Sequence, residues 1–437
     1  MAASSTTSIR VARRVDASRS RANRRYFAVF CVSLIVLNSC TFLYHLSGST
    51  VFNSAVNGIG IALIAYSIIA FFGSRSSDIN GVLYLSIACA MVALSVLYNI
   101  TATSATDVLK YLSIYIFYAV GRSCGGEIRR FEVRCLYVLA ALPIIFLLIG
   151  SSKINDHVQG LSYFPNANTA VLFFSALLFA VAQSWGNRAI LLQFLNAALM
   201  NKIGAVLATA VAVFLWILFP LRKESIIALV LVTLCVVVAF LFGAFDRALA
   251  VYDSLVYVFT NIPAHSVASM SYRELVQITG TTDLSGFFRI IHWSNVLDLY
   301  TRDGLGVILF GYGAGQTMSL TYASLEPHND YLRILAEYGV INLAIFVVFL
   351  AHILASLKKG APRVLFIVLC TYFFTENLLD NFTSMAIYFA YAGRFSVAAK
   401  SPSGPLRLAV VNYDGSIRRI DDVVAAFREM HNPRSGS

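Results

Sequence analysis

Residues 19–46 read RSRANRRYFAVFCVSLIVLNSCTFLYHL, a cluster of arginines followed by an unbroken apolar run over 26–46. A helix needs about 20 such residues to cross a hydrocarbon core about 30 Å thick. Seven arginines (Arg10, Arg13, Arg14, Arg19, Arg21, Arg24, Arg25) stand in the first 25 residues against one acid, Asp16. Basic residues that flank a span stay on the cytoplasmic side, so the N-terminus is expected inside. A secretory signal is the rival reading. The run is longer than a typical signal h-region, and no clear small-x-small cleavage site follows it. The stretch therefore reads as a retained first span.

Outward from it the pattern repeats. Apolar stretches at 51–73, 79–98, 106–121, 131–150, 167–186, 188–201, 203–221, 225–243, 336–356, 362–378 and 381–398 bring the expected number of spans to about twelve. Every second loop should then be basic. Arg75, then Arg122, Arg129, Arg130 and Arg134, then Arg188, then Arg222 and Lys223, then Lys358, Lys359 and Arg363 fall on those loops. The polar tail carries Lys400, Arg407, Arg418 and Arg419, so both termini are expected in the cytoplasm. The expected fold class is an all-α polytopic membrane protein. Its parts are a basic cytoplasmic N-terminus (1–25), spans within 26–243, one large external segment (244–335), spans within 336–398 and a cytoplasmic tail (399–437).

Composition agrees: 58% of the residues are hydrophobic and 13% charged, where a soluble domain carries about 25% charged residues. This excludes a disordered chain and argues against a water-soluble globule. The net charge of +11 is mostly orientation signal. Nucleic acid is not an expected partner, because the basic residues occupy topological positions and not one interleaved face. Cys31, Cys40, Cys89, Cys124, Cys135, Cys235 and Cys370 lie in or beside spans with no CxxC and no His/Cys cluster, and read as small packing residues. The long external segment carries Phe287, Phe288, Ile291, Trp293, Val296 and Leu297 at helical spacing, so it reads as a folded helical subdomain and not a tether. No internal repeat relates the two halves, which counts against the repeat architecture of many transporters.

That external segment closes on residues 326–339, EPHNDYLRILAEYG. Pro327 suits the approach to a helix start, since its φ is fixed and it has no N–H to satisfy. His328, Asn329 and Asp330 then fall in or beside the first turn, and Leu332, Leu335 and Ala336 form an apolar stripe. A helix N-terminus disfavours a protonated imidazole, so His328 is a candidate general base. The plainer alternative is an interfacial histidine packing at a helix start. In 284–293, LSGFFRIIHW, Arg289 shares a helical face with Trp293 and Val296. Phosphate is the best planar partner for such a guanidinium; snorkelling to headgroups is the alternative. Lys202 sits between two apolar segments at the outer face, as a functional cation or as the tip of a helical hairpin. Arg273, beside Glu274, is a further external cation. The Gly311–Gly315 run lacks the strand and helix context of a nucleotide fingerprint and reads as a tight turn. Asn166 or Asn168 is the expected N-cap of the helix that follows. The chain has no Asp-x-Asp, HExxH, P-loop or GxSxG, which disfavours metal-carboxylate nucleotide-sugar enzymes and the common hydrolases.

The His328-Asn329-Asp330-Tyr331-Leu332 stretch, with Glu337 and Gly339 behind it, resembles the signature of the O-antigen ligase and polysaccharide polymerase superfamily. The Arg289–Trp293 segment, the Gly311–Gly315 turn, the Pro165–Asn168 segment and the Asn201–Gly204 hairpin tip fall in that family's order, and the resemblance runs over residues 155–395. It implies a GT-C-like bacterial inner-membrane glycosyltransferase with one large periplasmic loop. Its donor would be an oligosaccharide on undecaprenyl pyrophosphate, presented at the periplasmic face. His328 receives the role of base, and Arg289, Lys202 and Arg273 that of pyrophosphate partners. Asn329, Tyr331, Glu337 and Asn166 are supporting residues. Where ligases usually carry arginine at the hairpin tip this chain has Lys202, which supplies charge without a bidentate fork. The scheme needs no metal and no cofactor. The bilayer, a flippase and a chain-length regulator are its implied partners. The Pro-His-Asn-Asp-Tyr-Leu-Arg form is closer to exopolysaccharide polymerases than to ligases, so the expected activity is polymerisation; ligation of the glycan to lipid A–core is the alternative. A transporter of lipid-linked glycan or solute is the alternative of another class, and it would place charges within mid-membrane helices.

Overall fold

The computed structural model describes residues 3–74, 79–126, 128–150, 164, 167–200, 202–218, 249, 252–253, 256–257, 260, 270, 272–280, 285–320, 327–398, 409–411 and 417–419. The stretch at 225–243, Asn166 and Asn201 lie outside these residues. In chain order the helices are α1 (Ala3–Ser47), α2 (Thr50–Gly73), α3 (Ile79–Tyr98), α4 (Ala105–Ser123), α5 (Arg130–Gly150), α6 (Ala167–Trp185), α7 (Asn187–Leu199) and α8 (Ile203–Leu218). They continue with α9 (Tyr272–Thr279), α10 (Ser285–Arg302), α11 (Leu305–Phe310), α12 (Thr317–Leu320), α13 (Asp330–Ser356), α14 (Ala361–Tyr372) and α15 (Phe382–Ala398).

Among the described residues, five helical stretches are long and apolar enough to cross a membrane: Arg25–Ser47 of α1, α2, α3, Asn168–Trp185 of α6, and α13. Gly204–Trp216 of α8 and Ala361–Tyr372 are shorter apolar helices. The outward faces of these helices identify their solvent. Helix α2 buries Leu63, Ile64 and Phe71 and turns Ile61, Ile68, Ile69 and Phe72 outward. A helix that is apolar all round and still exposed fits hydrocarbon and not water. The chain is an all-α, multi-pass membrane protein.

Helices α4 and α15 form the centre. A Cβ on Gly121 would stand 2.0 Å from the Ala390 carbonyl oxygen, and one on Gly393 would stand 2.2 Å from that of Tyr118. Only glycine permits this approach, and small residues at a helix crossing let backbones pack closely where lipid offers no hydrophobic drive. Around this crossing Phe27 and Phe30 of α1 pack on Tyr391 and Phe117, and Tyr26 packs beside Phe30 with its hydroxyl 3.0 Å from Ser67 Oγ. At the same end Arg394 pairs with Glu132, donates from Nε to the Gly126 carbonyl at 2.6 Å, and lies 4.3 Å from the Phe27 ring centre. The first turn of α4 is capped by Ser104, whose Oγ accepts from the Asp107 N–H, and Asp107 suits the positive helix start.

Residues 399–437 form a separate unit. Within it β1 (Ala409–Val411) and β2 (Ile417–Arg419) pair antiparallel, with Val410 opposite Arg418. Among the described residues this three-residue ribbon lies in the tail, and the membrane unit is helical.

Candidate functional site

Helix α13 begins at Asp330, and Asn329 is its N-cap: the Asn329 Oδ1 accepts from the Leu332 N–H at 3.0 Å. This satisfies one of the donors that a helix start leaves orphaned. The preceding residue, His328, has φ +48°. A non-glycine residue there costs of order 1 kcal/mol and persists only when its surroundings hold it. The chain is held on both sides of it. The Pro327 carbonyl accepts from the Trp293 indole N–H at 2.5 Å, and the Asp330 N–H donates to the Phe373 carbonyl at 2.8 Å. Asp330 itself is fully buried, and its Oδ2 accepts from the N–H groups of Leu378 (2.7 Å) and Leu379 (3.2 Å). One carboxylate thus fastens the start of α13 to the turn that follows α14.

That turn carries Glu376, 5% exposed, which the sequence reading did not single out. Its Oε1 accepts from Arg289 Nη2 at 2.7 Å, and its Oε2 lies 3.4 Å from His328 Nδ1. The arginine expected to seek phosphate therefore has a carboxylate partner within the chain. It remains 30% exposed, as against 46% for His328, and among the described residues its one ion pair uses a single Nη2 donation of its five donors. Helix α10 brings Arg289 here because Trp293 and Val296 pack on Leu332, Leu335 and Ala336, the apolar stripe of α13. The Trp293 ring also meets Phe374 edge-on at 5.5 Å.

The signal that was present for Glu376 is its position at the end of the apolar run 362–378. An acid at the edge of a span is a functional candidate by default.

The α7–α8 hairpin closes on the same turn. A Cβ on Gly204 would stand 3.0 Å from Thr375 Oγ1 and 3.7 Å from the Tyr372 ring, and the Tyr372 hydroxyl donates to Asn168 Oδ1 at 3.1 Å. Lys202, half-buried at the hairpin tip, has no ion-pair partner among the described residues. Its backbone carbonyl accepts from Val206 N–H at 3.0 Å. Thus His328, Arg289 and the Lys202 hairpin come together around residues 372–376.

Other candidates lie elsewhere. Arg273 is exposed on α9, and no contact among the described residues links it to His328 or Arg289. Tyr331 donates its hydroxyl to the Cys370 carbonyl at 2.8 Å and packs on Phe373, a structural position. Glu337 is buried and pairs with Arg333 (3.3 Å) and Thr317, not with His328. Arg333 also pairs with Asp380, which Lys110 joins at 3.1 Å while bridging to Asp107 at 3.2 Å. Burial pushes the Asp380 carboxyl up, but Arg333 and Lys110 beside it outweigh burial and bring it down to about 2. These charges surround a cavity of about 20 Å³, room for one water.

The Gly311–Gly315 run packs on the same helix. Gly311 (φ +76°) and Gly339 (φ +82°) face each other: a Cβ on the first would stand 2.4 Å from the Glu337 carbonyl carbon, and one on the second 2.1 Å from the Leu309 carbonyl oxygen. Gly339 breaks the helical path within α13. The carbonyls of Ala336 and Glu337 accept instead from the N–H groups of Tyr312 (2.8 Å) and Gly313 (3.0 Å). The expected tight turn is thus also a strap across the kink of the helix that His328 precedes.

Chemically, Glu376 can accept an Nδ1–H from His328, which fixes the tautomer that presents a basic Nε2. With Arg289 on its other oxygen, the buried carboxylate holds a base and a cation at one point. No protein-family model and no curated protein matches this chain.

Proposed function

We propose that this chain is a bacterial polysaccharide polymerase. It joins oligosaccharide repeat units carried on undecaprenyl pyrophosphate, at the periplasmic face of the inner membrane, within a GT-C-like fold of about twelve spans. The observation that carries the reading is Glu376, which holds His328 and Arg289 together beside the Lys202 hairpin. An acceptor hydroxyl gives its proton to His328 Nε2 as its oxygen bonds to the anomeric carbon of the donor. The bond from that carbon to the phosphate oxygen breaks, and the configuration inverts. The leaving lipid pyrophosphate takes the electron pair, and Arg289 and Lys202 offset its growing charge. The reaction thus calls on groups of the chain and on no metal.

The test is a mass-resolved assay of the purified protein with a lipid-linked repeat unit. His328→Ala is expected to abolish elongation while the protein still reaches the membrane; glycan of normal length from that variant overturns the assignment. Lipid A–core supplied as a competing acceptor in the same tube separates ligation from polymerisation.

A further inference from the structure

A second recess lies on different helices. Leu37 of α1, Ile61 and Ile64 of α2, Leu109 of α4 and Phe382 of α15 wall a cavity of about 390 Å³, within the range of about 300–1,000 Å³ that takes small ligands. Leu37 and Ile64 are buried, whereas Ile61 is 57% exposed on the outward face of α2, so the cavity opens sideways to hydrocarbon. Gly60 leaves it room: a Cβ there would already stand 3.8 Å from the Phe382 ring. At the polar rim stands Lys110. Two of its three ammonium donors go to Asp107 and Asp380, and the third, without a partner among the described residues, can reach a phosphate oxygen.

This rim is joined to the candidate site by one short turn. Asp380 follows Glu376 by four residues, and Asp330, two residues from His328, holds that turn through Leu378 and Leu379. Yet α10, which carries Arg289, and the α7–α8 hairpin, which carries Lys202, supply none of the cavity's walls. Transfer between two lipid-linked substrates needs two chain seats that lead to one base. The departing pyrophosphate needs cations, and they stand on the other side: Arg289 shares the single carboxylate of Glu376 with His328, and Lys202 has no ion-pair partner among the described residues. At the cavity rim Lys110 is already outnumbered by two carboxylates. It can position a phosphate that stays intact, and it cannot supply net charge to one that leaves.

We infer that this cavity seats the polyprenyl chain of the lipid-linked acceptor, an inference that rests on the polymerase function proposed above. At about 390 Å³ the cavity holds a stretch of one such chain and has no room for the several acyl chains of lipid A.

The experiment uses the full-length protein in lipid nanodiscs and a polyprenyl pyrophosphate probe with a photoreactive diazirine in its chain. Peptides containing Gly60–Ile64 and Leu109 should be labelled. Excess polyprenyl phosphate should displace that label, and phosphatidylglycerol should not. Gly60→Phe, or Leu109→Trp if the first fails to fold, should reduce it at least about fivefold. In turnover assays Gly60→Phe should raise KM for a long-chain acceptor about tenfold with kcat unchanged, the pattern of lost uniform binding. KM for the donor and for an acceptor with a farnesyl stub should not move. Displacement by either lipid alike means bulk lipid only and overturns the seat. A shift in donor KM overturns its assignment to the acceptor. Specific labelling of a protein that makes no polymer keeps the chain seat and overturns the polymerase function instead.

Discussion

Two glutamate–arginine pairs mark the two ends of the α4–α15 packing, and they are built differently. From Lys110 to Arg122, α4 rises about 18 Å. Near Arg122, Glu132 and Arg394 are sealed, with side chains 2% and 3% exposed. Arg394 also donates to a backbone carbonyl and lies over the Phe27 ring. At the other end Glu376 is also buried but its partners are not: Arg289 and His328 keep 30% and 46% of their side-chain surface. The first pair spends its donors on the protein and so specifies packing. The second holds a cation and an imidazole in place with unused valence facing outward, as a binding site requires. The same two residue types thus serve structure at one end and a candidate site at the other, according to how far the partners are enclosed.

The largest expected effect breaks the sealed pair. Glu132→Leu removes a carboxylate that Arg394 pairs with deep inside the protein, and should cost about 3–5 kcal/mol. Thermal unfolding in detergent measures it. Glu132→Leu combined with Arg394→Met should recover most of that loss, because two apolar side chains leave no stranded charge. Turnover per folded molecule should stay at the wild-type value in both. A single variant as stable as wild type would remove the structural role of this pair.

The open pair should behave in the opposite way. Glu376→Gln keeps the shape of the side chain and removes the charge that orients His328 and Arg289. It should lower turnover about a hundredfold, equivalent to about 2.7 kcal/mol of barrier. Stability should fall less than in Glu132→Leu, since Arg289 can return to solvent. Loss of folding with normal turnover in the surviving fraction would make Glu376 a second sealed pair. Arg289→Lys should have a smaller effect, about tenfold on donor KM, because lysine retains charge without the planar fork. Unchanged donor kinetics would separate Arg289 from the pyrophosphate.

The contrast also shows which links were legible in the sequence. Hydropathy alone located α1, α2, α3, α6 and α13, because a span is a local property of about 20 residues. Helical spacing placed Arg289, Trp293 and Val296 on one face, and the structure shows that face on α13 and on the turn that follows α14. Contacts between distant segments left no such local trace. Gly311 is legible as a turn, but its need to pass the backbone at Glu337 is not, since the two are far apart in the chain. Glu376 was hidden by the apolar run that ends at it, and its partners lie 87 and 48 residues upstream. Glu337, grouped by motif with His328, pairs instead with Arg333 one turn earlier on the same helix face. The Arg394–Glu132 pair was hidden in a different way: Glu132 lies among arginines that the topology already explained.

The smallest expected effect sharpens the boundary between the two kinds of charge. Asp380 sits between them in character, 31% exposed yet held by both Arg333 and Lys110. Burial alone would raise its carboxyl above the ordinary value of 3.8, but the two cations bring it down to about 2. A carboxyl lowered in the folded state binds its proton less readily there than in the unfolded chain. Its stabilisation is therefore fully present above the ordinary value and is lost as pH falls from about 4 towards about 2. Asp380→Asn should accordingly be less stable than wild type at neutral pH, by no more than about 1 kcal/mol given the partial exposure. The two proteins should converge as pH falls through that window, since protonation then removes from the wild type the charge that the variant lacks. Parallel melting curves across the window would mean that the ladder from Lys110 through Asp380 to Arg333 contributes no charge energy. The link between the acceptor cavity and the His328 turn would then be held by Asp330 and its two backbone hydrogen bonds alone.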